Sequence, residues 1–250
     1  MAQMTEGYDF ALCYADGLAS GVMNTKSTGQ RRESRRSVRR IFLLSPANAS
    51  GIRARMIGNE NARFELAARL RQHGAPLGEV FSFISGLYFR GKLAYAQAFA
   101  ESHGDTPGTY VITASAGLIP PETTITLERL REISAVSIDA TETRYRGPLE
   151  RDARTIRDAA KGSDWEVVLL GSIATPKYVE PLLGVFGERL VFPEEFVGRG
   201  DMSRGGLMLR KASAGEELRY VPVGTAVRHG PRPPKLPKPV KGSDGTVITI

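Results

Sequence analysis

The chain has 250 residues, 41% hydrophobic and 24% charged, an ordinary globular balance with enough apolar material for one sizeable core. It holds no run of about 18 apolar residues, which excludes a membrane-spanning helix. Its one cysteine, Cys13, excludes an intrachain disulfide and a cysteine-built zinc site. The net charge of +7 sits at the two ends. Residues 1–40 carry seven Lys/Arg against four Asp/Glu, and residues 228–250 carry five against one, which leaves 41–227 neutral. Such tails either hold nucleic acid electrostatically or merely solubilise the domain. No basic stretch followed by a long apolar one opens the chain, so the sequence predicts no secretory signal and a reducing, cytoplasmic setting.

In chain order, residues 1–39 lack a sustained period and predict a disordered basic arm. The run 40–44 predicts a short strand ending at Ser45-Pro46, and 63–72 has helical spacing. Residues 78–85, ending EVFSFIS, predict a second strand, and Gly86 separates it from a helix over 87–101. A third strand is expected at 109–114, and helices within 122–133 and 149–160. The fourth strand is expected at 165–170, a helix at 176–186, and a fifth strand at 189–192. Two further runs, 206–210 and 218–223, are strand-like. Residues 228–250, with four prolines within 232–239, predict an extended arm. Alternating strands and helices over 40–227 predict an α/β domain, a three-layer α/β/α sandwich with a mainly parallel sheet. Right-handed crossovers then gather the strand-to-helix loops on one rim, where such sheets bind ligands.

Candidate chemistry follows from those loops. Ser45 to Arg53 is small and polar, open to close backbone approach, and places Ser45 and Asn48 on the rim. It is neither a GxGxxG turn nor a P-loop. In 85–92, Tyr88 and Phe89 lie between glycines and the cations Arg90 and Lys92; the aromatics stack on a base or begin the core face of the next helix, and Arg90 or Lys92 is a candidate phosphate contact. In 114–122, two prolines fix a turn before Glu122, either a catalytic acid or a helix-start acid. Residues 171–178 lead into a helix at Pro176, with Ser172 and Lys177 beside N–H groups that can take an anion; Thr175 is a candidate cap. The densest patch is 198–206, with four glycines, Arg199, Asp201, Ser203 and Arg204. His73, His103 and His229 are isolated, so no metal and no cofactor are expected, and there is no G-x-S-x-G elbow.

A first strand ending in a small polar loop, a later VVLLGSIA at 167–174, then Phe192-Pro193 followed by a Gly/Ser/Arg-rich loop, resembles the uracil-DNA glycosylase superfamily. The stretch SAGLIPPE at 115–122 also resembles a turn in glycosylase-like domains of archaeal tRNA-modifying transglycosylases and of some uncharacterised bacterial proteins. Ser45-Pro46-Ala47-Asn48 stands where that superfamily has a Gly-x-Asp-Pro or Gly-x-x-Pro motif, and Phe192-Pro193 with 198–206 stands for its His-Pro-Ser. The resemblance implies excision of uracil or another modified base from DNA. Cleavage of the N-glycosidic bond needs a group to place water, charge to stabilise an oxocarbenium-like sugar, a ring for the base and cations for phosphates. Asn48 is the candidate for water, Asp201 for the sugar, Tyr88 or Phe83 for stacking, and Arg199 and Arg204 for phosphates. Phe83 has a second reading as a core residue of its expected strand. Two rivals stay open: a non-catalytic DNA-binding stress-response protein on the same fold, and an enzyme of free nucleotides or nucleosides.

Overall fold

Four apolar runs pair side by side as parallel strands: β1 (Arg39–Leu44), β3 (Thr109–Ile112), β6 (Trp165–Leu170) and β7 (Leu190–Pro193). Two short antiparallel strands close the edges, β4 (Leu118–Ile119) beside β3 and β8 (Tyr220–Pro222) beside β7. The order across the sheet is β4-β3-β1-β6-β7-β8. A separate two-residue ladder joins β2 (Ala75–Pro76) to β5 (Thr124–Ile125). The structure is a computed structural model describing residues 38–236 apart from 103 and 163, together with a short strand pair at 240–241 and 247–248. The expected basic arm up to residue 37, Cys13 and His103 lie outside the described residues.

Phe42, Leu43 and Leu44 in β1 and Val167 to Leu170 in β6 are wholly buried, as central parallel strands covered on both faces must be. Eight helices among the described residues complete the α/β/α sandwich: α1 (Ile52–Gly58), α2 (Glu65–Gln72), α3 (Leu77–Ser85), α4 (Leu87–Phe99), α5 (Leu127–Ile133), α6 (Thr143–Ala159), α7 (Pro176–Phe186) and α8 (Asp201–Ala214). Helix α4 lies on the sheet through Tyr95, whose ring meets Phe42 edge-on at 5.8 Å. Its hydroxyl accepts from the Leu218 N–H at 2.7 Å and pairs with the Tyr220 hydroxyl at 2.6 Å, tying the helix to the β8 edge.

Three local expectations are corrected. Residues 78–85 form helix α3, not a strand: Leu77, Val80, Phe81 and Ile84 are buried at helical spacing, between Pro76 and a Gly86 at φ 63°. The short apolar run also fits period two, and its length alone did not separate the alternatives. Residues 206–210 belong to α8, where Leu207 and Met208 are buried. Glu122 does not start a helix; α5 begins five residues later, with the Thr126 hydroxyl accepting from the Arg129 N–H at 3.2 Å.

Helices α4 and α8 cross at their glycines. A methyl at Gly91 would stand 2.5 Å from the Gly205 carbonyl oxygen, and one at Gly205 would stand 2.7 Å from that of Leu87. The two backbones therefore touch, and side chains one turn away on either helix share one small volume. Beyond β8, residues 228–236 run across 197–206: Arg199 donates to the Pro234 carbonyl at 3.3 Å, and Leu236 packs beside Gly206.

Candidate active-site cleft

The chain leaves β1 toward β3 on one side, but β6 and β7 lie on the other side of β1. The loops after β1 and β6 consequently diverge, and a crevice must open between them at the carboxyl ends of the strands. A cleft of about 370 Å³ is found there. Ser45, Pro46, Ala47 and Asn48 enter it from the end of β1, Ser172 from the end of β6, and Lys177 and Tyr178 from the first turn of α7. Ser85 and Tyr88 come from the α3–α4 junction, and Asp201 from the first turn of α8. A second cleft of about 330 Å³ shares Pro46, Ala47, Asn48 and Ile138 with the first and lies on the other flank of the 45–50 loop.

Six expected residues thus converge: Ser45, Asn48, Tyr88, Ser172, Lys177 and Asp201. Asn48 is partly committed, because its Oδ1 accepts from the Ser50 N–H at 3.0 Å and the Ser50 hydroxyl at 2.7 Å; its amide N–H groups remain for a ligand. The Ser172 hydroxyl accepts from the Ala174 N–H at 3.3 Å and shapes the turn into α7. Thr175 is the N-cap residue of α7 but makes no side-chain cap bond. Asp201 is exposed at the start of α8, where an acid suits the helix dipole, and it forms no ion pair among the described residues.

The remaining candidates lie elsewhere. Phe83, on α3, stacks on Phe64 at 5.1 Å and 23° and lines a separate surface hollow with Arg53 and Arg90. Glu122 is exposed in a turn. Arg199 donates to the Glu195 carbonyl at 2.9 Å and to the Ser203 hydroxyl at 3.3 Å. Arg204 donates twice to the Phe196 carbonyl, at 3.1 and 3.0 Å, with its guanidinium 5.4 Å from the Phe196 ring. Both arginines hold the 194–200 turn, and neither reaches outward as a free phosphate grip. The loop read at 198–206 is loop only as far as Gly200, and α8 takes the rest.

Beneath the cleft lies Lys92, expected as a phosphate contact and found instead in the interior. Lys92 is 0% exposed. Its amine donates to the Ser45 carbonyl and to the Ser45 hydroxyl, the latter at 2.9 Å, and it sits 4.3 Å from the Tyr88 ring centroid and 5.0 Å from that of Phe89. No carboxylate stands within ion-pair distance of it among the described residues. Burial draws its ammonium down from 10.5 to about 7; Asp201 opposes that shift and Arg204 adds to it. The Tyr88 hydroxyl is buried without a hydrogen bond: Arg204 and Ser45 lie near it, but neither is in bonding geometry. Burial raises Tyr88, with Arg204 opposing, and also raises Tyr178, reinforced by Tyr88 and Asp201. The signal for Lys92 was present in the sequence, since position 92 falls on the same face of the 87–99 helix as Tyr88, Phe89, Tyr95 and Ala96. Ile138 and Tyr178 were missed because neither carries a polar loop signature.

The described residues contain no cluster of His, Cys, Asp or Glu that can hold a metal. Comparison of the chain with protein-family models, with curated proteins and with solved structures finds no match.

Proposed function

We propose that the protein recognises a nucleobase at the switch-point cleft and cleaves the N-glycosidic bond that carries it. One observation supports this reading most: a cleft of nucleoside size joins aromatic walls, hydroxyl and amide donors, a lysine and an unpaired carboxylate. Tyr88 and Tyr178 supply an apolar wall for the base, and the Asn48 amide and Ser172 hydroxyl address its edge. Lys177 faces the charge that gathers on the departing base, and Asp201 stabilises the oxocarbenium-like sugar. The resemblance to the uracil-DNA glycosylase superfamily fits this chemistry and suggests DNA bearing a modified base as the substrate. The internal commitment of Arg199 and Arg204 favours a second substrate, a free nucleoside or nucleotide, because the two arginines expected on DNA phosphates bind carbonyls of their own chain.

The test is release of base, measured by chromatography, from duplexes with uracil or other modified bases and from a panel of free nucleosides. Asp201→Asn is expected to keep base binding and lose cleavage by ~10²-fold or more, as removal of transition-state charge does. No released base from any substrate, with the protein folded, refutes the proposal. Release from nucleosides alone selects the second substrate.

A further inference from the structure

We propose that Ser45 and Lys92 form a proton-relay pair: Lys92 is the base buried behind the cleft, and the Ser45 hydroxyl is the group through which it acts on an attacking water. The proposal rests on the reading of the cleft as a site of N-glycosidic hydrolysis, and it supplies the water-activating base that reading lacks. Asn48, the first candidate for water, offers only amide hydrogens once its oxygen is held by Ser50, and an amide is no base.

The geometry is that of a base behind a hydroxyl. Ser45 lines the cleft at 6% exposure and is the one cleft residue hydrogen-bonded to the Lys92 amine. As a neutral amine, Lys92 donates one N–H to the Ser45 carbonyl and turns its lone pair to the Ser45 hydroxyl hydrogen at the same 2.9 Å. The groups that face it are few. Its own helix supplies the Tyr88 and Phe89 rings, and α8 supplies Asp201 and Arg204, whose opposite charges act on it in opposite senses. Tyr178 of α7 couples to Tyr88 and Asp201 at the same end of the cleft. Full burial of the amine, with no carboxylate at ion-pair distance among the described residues, keeps its neutral form accessible near neutral pH.

The balance of the step is simple. The water oxygen bonds to the anomeric carbon of the sugar while the bond from that carbon to the base nitrogen breaks, and the base leaves with the electron pair. The water proton passes to the Ser45 oxygen as the Ser45 proton passes to the Lys92 amine. The resulting ammonium returns its proton to the departed base or to solvent, and both side chains are restored.

A fluorophosphonate probe reads the activated hydroxyl without need of a substrate. On the wild-type protein, peptide mass spectrometry is expected to find the adduct on Ser45, with a labelling rate that rises with pH to a plateau whose midpoint lies near 7. Lys92→Met is expected to label at least tenfold more slowly, without that midpoint, and Ser45→Ala not at all. Should Lys92→Met fail to fold, the wild-type profile alone decides. A midpoint near neutrality supports the pair, while no label, or a rate still climbing at pH 10 as for an ordinary serine, overturns it. Calorimetric binding of a nucleobase panel, run in parallel, separates the two readings. Base binding with an inert Ser45 sinks the relay alone. A reactive Ser45 in a cleft that binds no base keeps the pair and removes its assignment to N-glycosidic hydrolysis.

Discussion

Gly91→Ala tests the contact that assembles the cleft. On an exposed helix the exchange stabilises, because alanine is the better helix former by up to about 1 kcal/mol. At Gly91 the added methyl meets the carbonyl oxygen of Gly205 at 2.5 Å, its Cα at 2.8 Å and its carbonyl carbon at 3.0 Å. These are backbone atoms on a packed helix, so no rotamer change relieves the overlap and α8 must move by several tenths of an ångström. Overpacking of this kind costs ~1–3 kcal/mol, and with backbone on both sides the upper end applies. Offset by the propensity gain, the net loss is about 2 kcal/mol, or roughly 4–8 °C in midpoint for a domain of this size. Gly184→Ala is the matched control: it lies exposed on α7 with nothing within 4 Å of the new methyl, and it is expected to gain stability. Urea unfolding with unchanged slopes gives both values. The displacement also draws Tyr88 and Lys92 away from Asp201, so base binding should weaken together with stability. A Gly91→Ala protein as stable as Gly184→Ala refutes the packing argument outright.

Other perturbations follow from single contacts. Lys92 folds with its ammonium drawn from 10.5 down to about 7, so between those values the unfolded chain binds the more protons and stability rises with pH. The penalty is complete below pH 7, on the order of 5 kcal/mol at most, and Lys92→Met should abolish this rise when urea midpoints are compared at pH 6, 7.5 and 9. Gly117→Ala, at φ 71° and with the new methyl 2.0 Å from the Asp152 carboxylate that accepts from Leu118, should cost more than about 2 kcal/mol by calorimetry. Tyr95→Phe strands the Leu218 N–H and should cost ~1–3 kcal/mol, read as a lower thermal midpoint with the helical spectrum intact.

The parallel strands and the long amphipathic helices were legible because their patterns admit one reading. Residues 165–170 and 176–186 take the bounds that apolar continuity and Pro176 suggest. The rim was legible too, since the alternation of elements places loops after β1 and β6 together whatever their sequences. What escaped was information carried by the third dimension. The segment 78–85 satisfies both periods over its short length, and only packing against its neighbours made it a helix. Arg199 and Arg204 read as ligand grips because arginines among glycines suit phosphates, yet the same arginines suit the carbonyls of a tight turn such as 194–197. Lys92 read as a phosphate contact because a lysine in a helix is ordinarily solvated, and its burial depends on a backbone contact between residues 91 and 205.

That contact links the cost of the cleft to its use. A buried amine without an ion pair among the described residues opposes folding at neutral pH, and an apolar side chain of similar reach fills the same volume without that penalty. The fold nevertheless brings the amine to the cleft with some care: Gly91 and Gly205 let α4 and α8 touch, Tyr88 and Phe89 enclose the amine, and Ser45 takes its hydrogen bonds. Local departures from what stability alone selects concentrate where chemistry is done. The tails carry the charge of the chain, but the cleft has a different polarity: an amine drawn down to about 7 behind Ser45, and the Asp201 carboxylate, without an ion pair among the described residues, close enough to act on it. In the proposed reaction the amine on α4 and the carboxylate on α8, two helices that meet through glycine, divide proton transfer from charge stabilisation.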